Sequence, residues 1–230
     1  FLRFGGKLYF DPGLPENRRY IVRVVEDILA RYDIDGLHFD DYFYPYPIKG
    51  KEFPDNKSYA RYGKGMERGD WRRANVDSLI ADVSRAVRRS SRPWVRFGVS
   101  PFGIWRNSTS DPRGSATSGL QNYDGLYADV LLWARRGWVD YLMPQLYWEL
   151  DHKAASYRVL VDWWADNAEG RHIYVGQDVV RCADAEELDE KLTLQRRRHE
   201  IGGMCWWPGY ALSGRPEFRQ TVPALPPAYP

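Results

Sequence analysis

The chain has 230 residues, of which 43% are hydrophobic, so it is long and apolar enough to bury a sizeable globular core. Its 33 basic and 31 acidic side chains leave a net charge of +2, which disfavours a nucleic-acid-binding protein because such proteins usually carry a clear basic excess. No stretch approaches the roughly 18 consecutive apolar residues of a membrane span, and no signal peptide is visible.

The apolar periodicity predicts that helices and strands alternate along the whole chain. The first helix shows the pattern most clearly, since Tyr20, Ile21, Val24 and Val25 begin an apolar face that repeats every four positions. In chain order, the predicted elements are helix 15–32, strand 36–39, helix 71–89, strand 95–100, helix 125–136, strand 139–145, helix 153–167, strand 172–176, helix 185–199 and strand 203–206. The predicted loops are residues 1–14, 41–70 and 108–122.

This alternation predicts an α/β fold with parallel strands and crossover helices. Each strand runs into a polar or aromatic loop, and both (β/α)8 barrels and open doubly wound sheets place their sites at these carboxyl ends. No glycine-rich phosphate loop follows a strand, which disfavours a nucleotide-binding sheet. Five units cannot close an eight-stranded barrel, so either the sheet is smaller and open or three units are absent from this chain. Residues 1–222 are predicted to form this domain, and the proline-rich residues 223–230 a stiff linker or tail.

The first predicted strand ends in two consecutive carboxylates. Because side chains alternate along a strand, Leu37 and Phe39 are expected beneath the helices, whereas His38 and Asp40 face the site. Asp40 is therefore the better candidate for chemistry, and Asp41 is expected to assist it, to orient a neighbour or to cap a loop. His38 either contacts substrate or is a satisfied core histidine. Imidazole and carboxylate also bind divalent ions, but with four histidines and no second spaced histidine motif, no metal is predicted.

Glycoside hydrolysis usually needs two carboxyl groups that flank the scissile bond. Further acids near strand exits are Asp124, Glu149 and Asp178. Each has a structural alternative: Asp124 can cap a helix, Glu149 can be a solvated loop charge, and Asp178 can be a turn acid. The separation of the two carboxyl groups distinguishes retaining from inverting enzymes, and the sequence leaves it open.

Aromatic side chains are unusually frequent, with 10 Trp and 16 Tyr. Several follow strands, where their faces could stack on sugar rings or pack against neighbouring loops. The amides of Asn107 and Gln145 suit vicinal hydroxyls, whereas Trp163 and Trp164 lie in mid-helix and are predicted to be core. The residues expected to contact a substrate are His38, Tyr42, Tyr44, Trp105, Asn107, Gln145, Tyr147, Trp148 and Trp206. The pairing of Cys182 and Cys205 is left open, because their spacing does not settle it.

Several of these stretches resemble the glycosyl-hydrolase-like family ten domain. The stretches are DPGLPE at 11–16, GLHFDDYFYP at 36–45, VSPFGIW at 99–105, LYAD at 126–129 and MPQLYW at 143–148. They occur in order, and the resemblance runs from Phe10 to about Trp207. It supports roles for the residues that fall inside the motifs, namely Asp40, Asp41, Tyr42, Trp105, Gln145, Tyr147 and Trp148.

The resemblance implies a (β/α)8 barrel in which strands four to eight are present and the first three would lie before Phe1. It also implies an O-glycosyl hydrolase in the cell envelope or secreted, since the family includes bacterial envelope enzymes that cut peptidoglycan glycan strands lacking stem peptides. The expected partner is a polysaccharide, no cofactor is expected, and the oligomeric state is left open. The alternatives are a non-catalytic glycan-binding barrel and a metal-dependent hydrolase or deacetylase.

Overall fold

The structure is a computed structural model that describes residues 1–221, with side chains through residue 218. The proline-rich stretch 223–230 and the boundary after residue 222 lie outside the described residues, so the division into domain and tail stays a prediction. Within the described part of the chain, no helix is both long and apolar enough to cross a membrane.

Five parallel strands form the central sheet, and neighbours in the sheet are consecutive along the chain. They are β3 (Gly36–Phe39), β4 (Arg96–Val99), β5 (Tyr141–Leu142), β6 (His172–Asp178) and β7 (Ile201–Trp207). A separate antiparallel hairpin, β1 (Leu2–Phe4) and β2 (Lys7–Tyr9), occupies part of the segment predicted to be a loop. The parallel sheet interleaved with helices confirms the α/β prediction and is consistent with a partial (β/α)8 barrel, with β3 and β7 as its two edges.

The helices follow the predicted alternation, with differences at their ends. They are α1 (Pro15–Arg31), α2 (Asn56–Tyr62), α3 (Arg68–Arg89), α4 (Asn122–Gly125), α5 (Val130–Arg135), α6 (Tyr157–Asp166), α7 (Ala185–Arg196) and α8 (Pro216–Thr221), with a 3₁₀ helix at Gly209–Gly214. The α2 helix lies in a predicted loop. The predicted helix 125–136 is interrupted because Tyr127 has a φ of 57°, a left-handed conformation that a helix cannot continue. The α6 helix starts later than predicted because the Ser156 hydroxyl caps its first turn.

The two faces of the sheet follow the alternation of side chains. Leu37, Phe97, Leu142 and Ile173 are buried between the sheet and its helices. The side chains that alternate with them include His38 and Tyr141, whose rings stack on the opposite, inner face. Fully burying such apolar side chains contributes about 1.5–3 kcal/mol each, so the outer layer fixes which residues are left for the inner face.

The predicted strand 139–145 is only partly a strand, since the continuous pairing covers Tyr141–Leu142. Beyond it, Gln145 makes isolated bridges to Phe102 and Gly176, which continue the pairing past the carboxyl end of β5. The mid-helix pair Trp163 and Trp164 is buried, as predicted. Both cysteines are free thiols.

The α3 and α5 helices meet at a carboxylate whose charge is poorly solvated. Asp77 accepts a hydrogen bond from the indole of Trp133, with 2.6 Å between Oδ1 and Nε1. Burial raises the pKa of Asp77 to about 7, although the Trp133 bond opposes this. Because the folded state then binds a proton that the unfolded state releases, the stability that Asp77 contributes falls as the pH rises from about 4 to 7.

We therefore expect Asp77→Asn to stabilise the protein above pH 7 by roughly 1–3 kcal/mol and to have little effect near pH 4. Asparagine still accepts from Trp133 but carries no charge. Asp82→Asn on the same helix is the control, because Asp82 pairs with Arg85 at the surface. Urea unfolding of the three proteins at both pH values provides the measurement. A pH-independent difference between wild type and Asp77→Asn would contradict the assignment.

Candidate active site

Three strand ends converge on the carboxylate of Asp40. Gln145, just after β5, donates from Nε2 to Asp40 Oδ1 at 3.1 Å and to the backbone carbonyl of Ser100, just after β4, at 3.0 Å. The backbone N–H of Asp41 donates to the same Asp40 oxygen at 2.9 Å. The Asp40 side chain is exposed. One of its oxygens is thus held by the protein in a carboxylate that is accessible to solvent.

Asp41 lies in very different surroundings from its neighbour. It is only 3% exposed, and its Oδ2 accepts a short hydrogen bond from the hydroxyl of Tyr46. Burial raises the pKa of Asp41 to about 6, the charge of Asp40 adds to the rise, and the Tyr46 bond lowers it. The pair therefore consists of an exposed carboxylate and a buried one that is suited to hold a proton in mildly acidic solution.

His38 lies on the inner face, as alternation predicts. Its Nε2 is 2.6 Å from the hydroxyl oxygen of Ser100, and its Nδ1 is 3.0 Å from that of Tyr141. Burial lowers the pKa of His38, and Asp40 opposes the change. Although the imidazole is accessible from the open inner face, both ring nitrogens already have partners within the protein, so it is not free to bind a sugar hydroxyl in this arrangement.

Aromatic side chains follow the same strands as Asp40 and Gln145. Tyr147 stacks on Trp207 with ring centroids 5.6 Å apart and planes 13° apart. Burial and then the charges of Asp40 and Asp178 raise the pKa of Tyr147, so its hydroxyl stays protonated at neutral pH. After β3, the exposed ring of Tyr42 lies 6.1 Å from that of Tyr46.

Trp148, the residue after Tyr147, is half-buried. Its ring contacts Phe102 edge-on at 5.4 Å, and a Cβ at Gly103 would overlap it. The glycine therefore lets the indole lie against the loop that follows β4, where one part of the ring remains accessible.

Three residues predicted to contact substrate are buried elsewhere, and we correct that expectation. Trp105 is 2% exposed, because it stacks on Trp163 beneath the loop that follows β4. Asn107 is buried and uses its side chain within that loop, donating to the carbonyl of residue 119 and accepting from residue 117. Tyr44 is fully buried against Phe53 and a neighbouring tyrosine. All three side chains are thus buried in contacts within the protein.

Trp206 also differs from the prediction. It packs against Phe218 in a small second cluster under α7 and α8, with ring centroids 6.2 Å apart. The next residue, Trp207, is 54% exposed and is the one that reaches Tyr147. The aromatic residue that β7 contributes to the site is therefore Trp207.

The other candidate acids are held in structural contacts to different degrees. Asp178 is buried and accepts hydrogen bonds from the backbone N–H groups of Val180 and Arg181, so it stabilises a turn at the end of β6. Asp124 forms a two-point ion pair with Arg106. Glu149 is exposed. Within residues 1–221, the His, Cys, Asp and Glu side chains form no group of three or more that could hold a metal ion.

The sequence reasoning missed three residues of this site: Tyr46, Ser100 and Tyr141. One signal was available: Tyr46 lies in the loop after the first predicted strand and Ser100 ends the second, and functional groups concentrate at such strand ends. Tyr141 was hidden within a predicted strand, and its role depends on its partner across the sheet.

We expect Tyr46→Phe to raise the pKa of Asp41 above 6 by roughly one pH unit, because the lost donor stabilised the charged carboxylate. Carboxyl ¹³C NMR of aspartate-labelled protein measures the titration. Tyr42→Phe removes a hydroxyl from the adjacent exposed ring and is the matched control. If both variants left the Asp41 titration unchanged, the hydrogen bond would not govern its protonation.

Comparison with known proteins identifies the family of this chain. The family model described as glycosyl hydrolase-like 10 matches residues 3–193. The chain is 43% identical over 213 residues to the Bacillus subtilis strain 168 protein named glycosyl hydrolase YngK, covering 87% of this chain and 42% of that protein. It is 45% identical over 188 residues to the Escherichia coli K12 protein named glycosyl hydrolase DigH, covering 80% of this chain and 42% of that protein. The chain thus spans less than half the length of these two relatives, and it belongs to the glycosyl hydrolase-like 10 family.

Proposed function

We propose that this chain carries the catalytic strand ends of a glycoside hydrolase that cleaves O-glycosidic bonds in a bacterial polysaccharide. The proposed substrate is peptidoglycan glycan lacking stem peptides, which follows from the family resemblance, and the proposed location is the cell envelope or outside the cell. Asp40 acts as the nucleophile or the principal acid/base, and Asp41 assists it.

The observation that carries the proposal is the asymmetric environment of the Asp40 carboxylate. Gln145 and the Asp41 backbone hold one oxygen, which fixes the orientation of the group. The exposed oxygen can then approach the anomeric carbon, or take up and return the proton of an attacking or leaving oxygen. Positioned carboxyl groups at the carboxyl ends of parallel strands are what such chemistry uses on this fold.

The aromatic residues support a sugar as the ligand. Tyr147 and Trp207 form one flat wall, and the exposed Tyr42 forms another. Sugar rings present C–H faces to such walls while their hydroxyls need donors and acceptors. The hydroxyl of Tyr147 stays protonated, because burial raises its pKa, and can donate to a sugar hydroxyl.

One observation favours a second candidate function, a glycan-binding barrel without catalysis. Two of the three acids that could flank the bond opposite Asp40 are occupied, Asp178 by backbone N–H groups and Asp124 by Arg106, and the third, Glu149, is exposed. Asp41 is the immediate neighbour of Asp40 and is buried. The aromatic walls would serve binding equally well in either function.

We expect Asp40→Asn to abolish cleavage, with a loss of at least 10³-fold in kcat, while glycan binding and thermal unfolding change little. The reason is that the amide keeps the size of the side chain but removes the negative charge that acts in the transition state. The assay incubates the full chain with glycan strands freed of stem peptides and follows their shortening by chromatography. Asp35→Asn is the matched control, because Asp35 is an exposed acid just before the other end of the same strand.

The outcomes separate the two functions. If wild type cleaves the glycan and Asp40→Asn cleaves it equally well, Asp40 has no part in the mechanism. If wild type binds the glycan strands but does not shorten them, the glycan-binding barrel is favoured. A wild-type protein that neither binds nor cleaves these strands would contradict both assignments of the substrate.

We expect Trp207→Ala to weaken binding of the same strands by roughly tenfold, since stacking on an aromatic ring contributes about 1 kcal/mol or more. Trp94→Ala is the control, because Trp94 is similarly exposed, at 48% against 54%, but precedes β4 at the opposite end of the sheet. Isothermal titration with soluble glycan oligomers measures both affinities. Equal losses in the two variants would argue against an aromatic wall at the strand ends.

A further inference from the structure

We propose that Tyr141, His38 and Ser100 form a hydrogen-bonded column on the inner face of the sheet that positions Gln145 and, through it, the Asp40 carboxylate. This inference rests on the proposed function, in which Asp40 is the reacting group. In the column, His38 is a positioning residue and does not contact the substrate.

The lower half of the column joins Tyr141 to His38. The two rings stack with centroids 5.6 Å and planes 14° apart, and the Tyr141 hydroxyl oxygen lies 3.0 Å from His38 Nδ1. Between the strands that carry them, β4 places Gly98 in register with both residues. A Cβ at Gly98 would overlap the Tyr141 ring. The glycine therefore provides the space that lets Tyr141 cross β4 and reach His38.

The upper half of the column joins His38 to the site. His38 Nε2 lies 2.6 Å from the Ser100 hydroxyl oxygen. The backbone of Ser100 is fixed from the other side, because its N–H donates to the Phe39 carbonyl at 2.8 Å. Its own carbonyl accepts from Gln145 Nε2, and the same nitrogen donates to Asp40 Oδ1. A displacement of Ser100 would therefore move the group that holds Asp40.

The column positions the Asp40 carboxylate without placing a charge beside it. Burial lowers the pKa of His38, so the imidazole is neutral at neutral pH, and burial raises the pKa of Tyr141. The charged group that faces His38 is Asp40, and the titratable group that reaches it from β5 is Tyr141. One nitrogen of a neutral imidazole donates and the other accepts, and a hydroxyl can do either. Both tautomers of His38 thus satisfy the column.

The test removes one hydroxyl from the far end of the column. We expect Tyr141→Phe to lower kcat for glycan cleavage about tenfold with KM within about twofold, because a small misplacement of a catalytic group affects the chemical step. Tyr174→Phe is the matched control: its ring contacts Tyr141 edge-on at 5.8 Å, but its hydroxyl is not a member of the column. Circular dichroism and thermal unfolding establish that both variants fold.

Two NMR readouts test the column independently of activity. The ¹⁵N shifts of His38 should change in Tyr141→Phe and stay in Tyr174→Phe, and the ¹³C titration of the Asp40 carboxyl should shift only in the former. Gly98→Ala is a second route to the same effect, since it displaces the Tyr141 ring together with its hydroxyl and removes no hydrogen-bonding group. We expect it to reproduce both spectral changes.

The results have distinct meanings. If wild type cleaves no glycan, the proposed function fails, and the NMR readouts alone decide the column. Unchanged kcat together with an unchanged Asp40 titration in Tyr141→Phe would overturn the column. Covalent labelling of Ser100 in wild type by a serine-directed organophosphate would also overturn it, because the hydroxyl would then be an activated nucleophile of the kind that a hydrogen-bonded histidine generates.

Discussion

The hydrogen bond from Gln145 to Asp40 ties the candidate site to the sheet. It joins residues 105 positions apart, and the same amide nitrogen also holds the carbonyl of Ser100. Three consecutive strands must be in register for these groups to meet, and that register is set by the apolar side chains buried beneath the helices. The site therefore depends on the packing of the opposite face, which determines how far each strand extends before its loop begins.

The sequence was sufficient for the parts of this arrangement that follow from local periodicity. The strand Gly36–Phe39 and its division into buried Leu37 and inward-facing His38 need only the period of two. The burial of Trp105 could not be predicted from local periodicity. It comes from a tryptophan of α6 that lies 58 residues further along the chain and stacks on it at 5.9 Å. Long-range partners of this kind decide whether an aromatic residue after a strand faces a ligand or the core.

The exchange of Trp206 for Trp207 has a specific cause in the sheet. The pairing of β6 with β7 contains an irregularity: Ile173 lies opposite Ile201, but Tyr174 lies opposite Gly203. One extra residue in β7 reverses the parity of every later side chain. Gly203 allows it, because its φ of 153° is in the region that favours glycine. Trp206 is thereby turned toward Phe218 and Trp207 toward the site, and a single sequence does not reveal such a bulge.

The same reasoning explains why two adjacent aspartates differ so strongly. β3 ends at Phe39, and Asp40 continues its alternation onto the inner face. The chain then turns, with the N–H of Phe43 donating to the Asp41 carbonyl at 2.9 Å, so the Asp41 side chain leaves that face and is buried beside Tyr46. Burial raises the pKa of one carboxyl to about 6, while exposure leaves an oxygen of the other free to react. The two aspartates thus differ because the strand ends between them. Asp41 is buried and can hold a proton, whereas Asp40 is exposed and can contact a substrate.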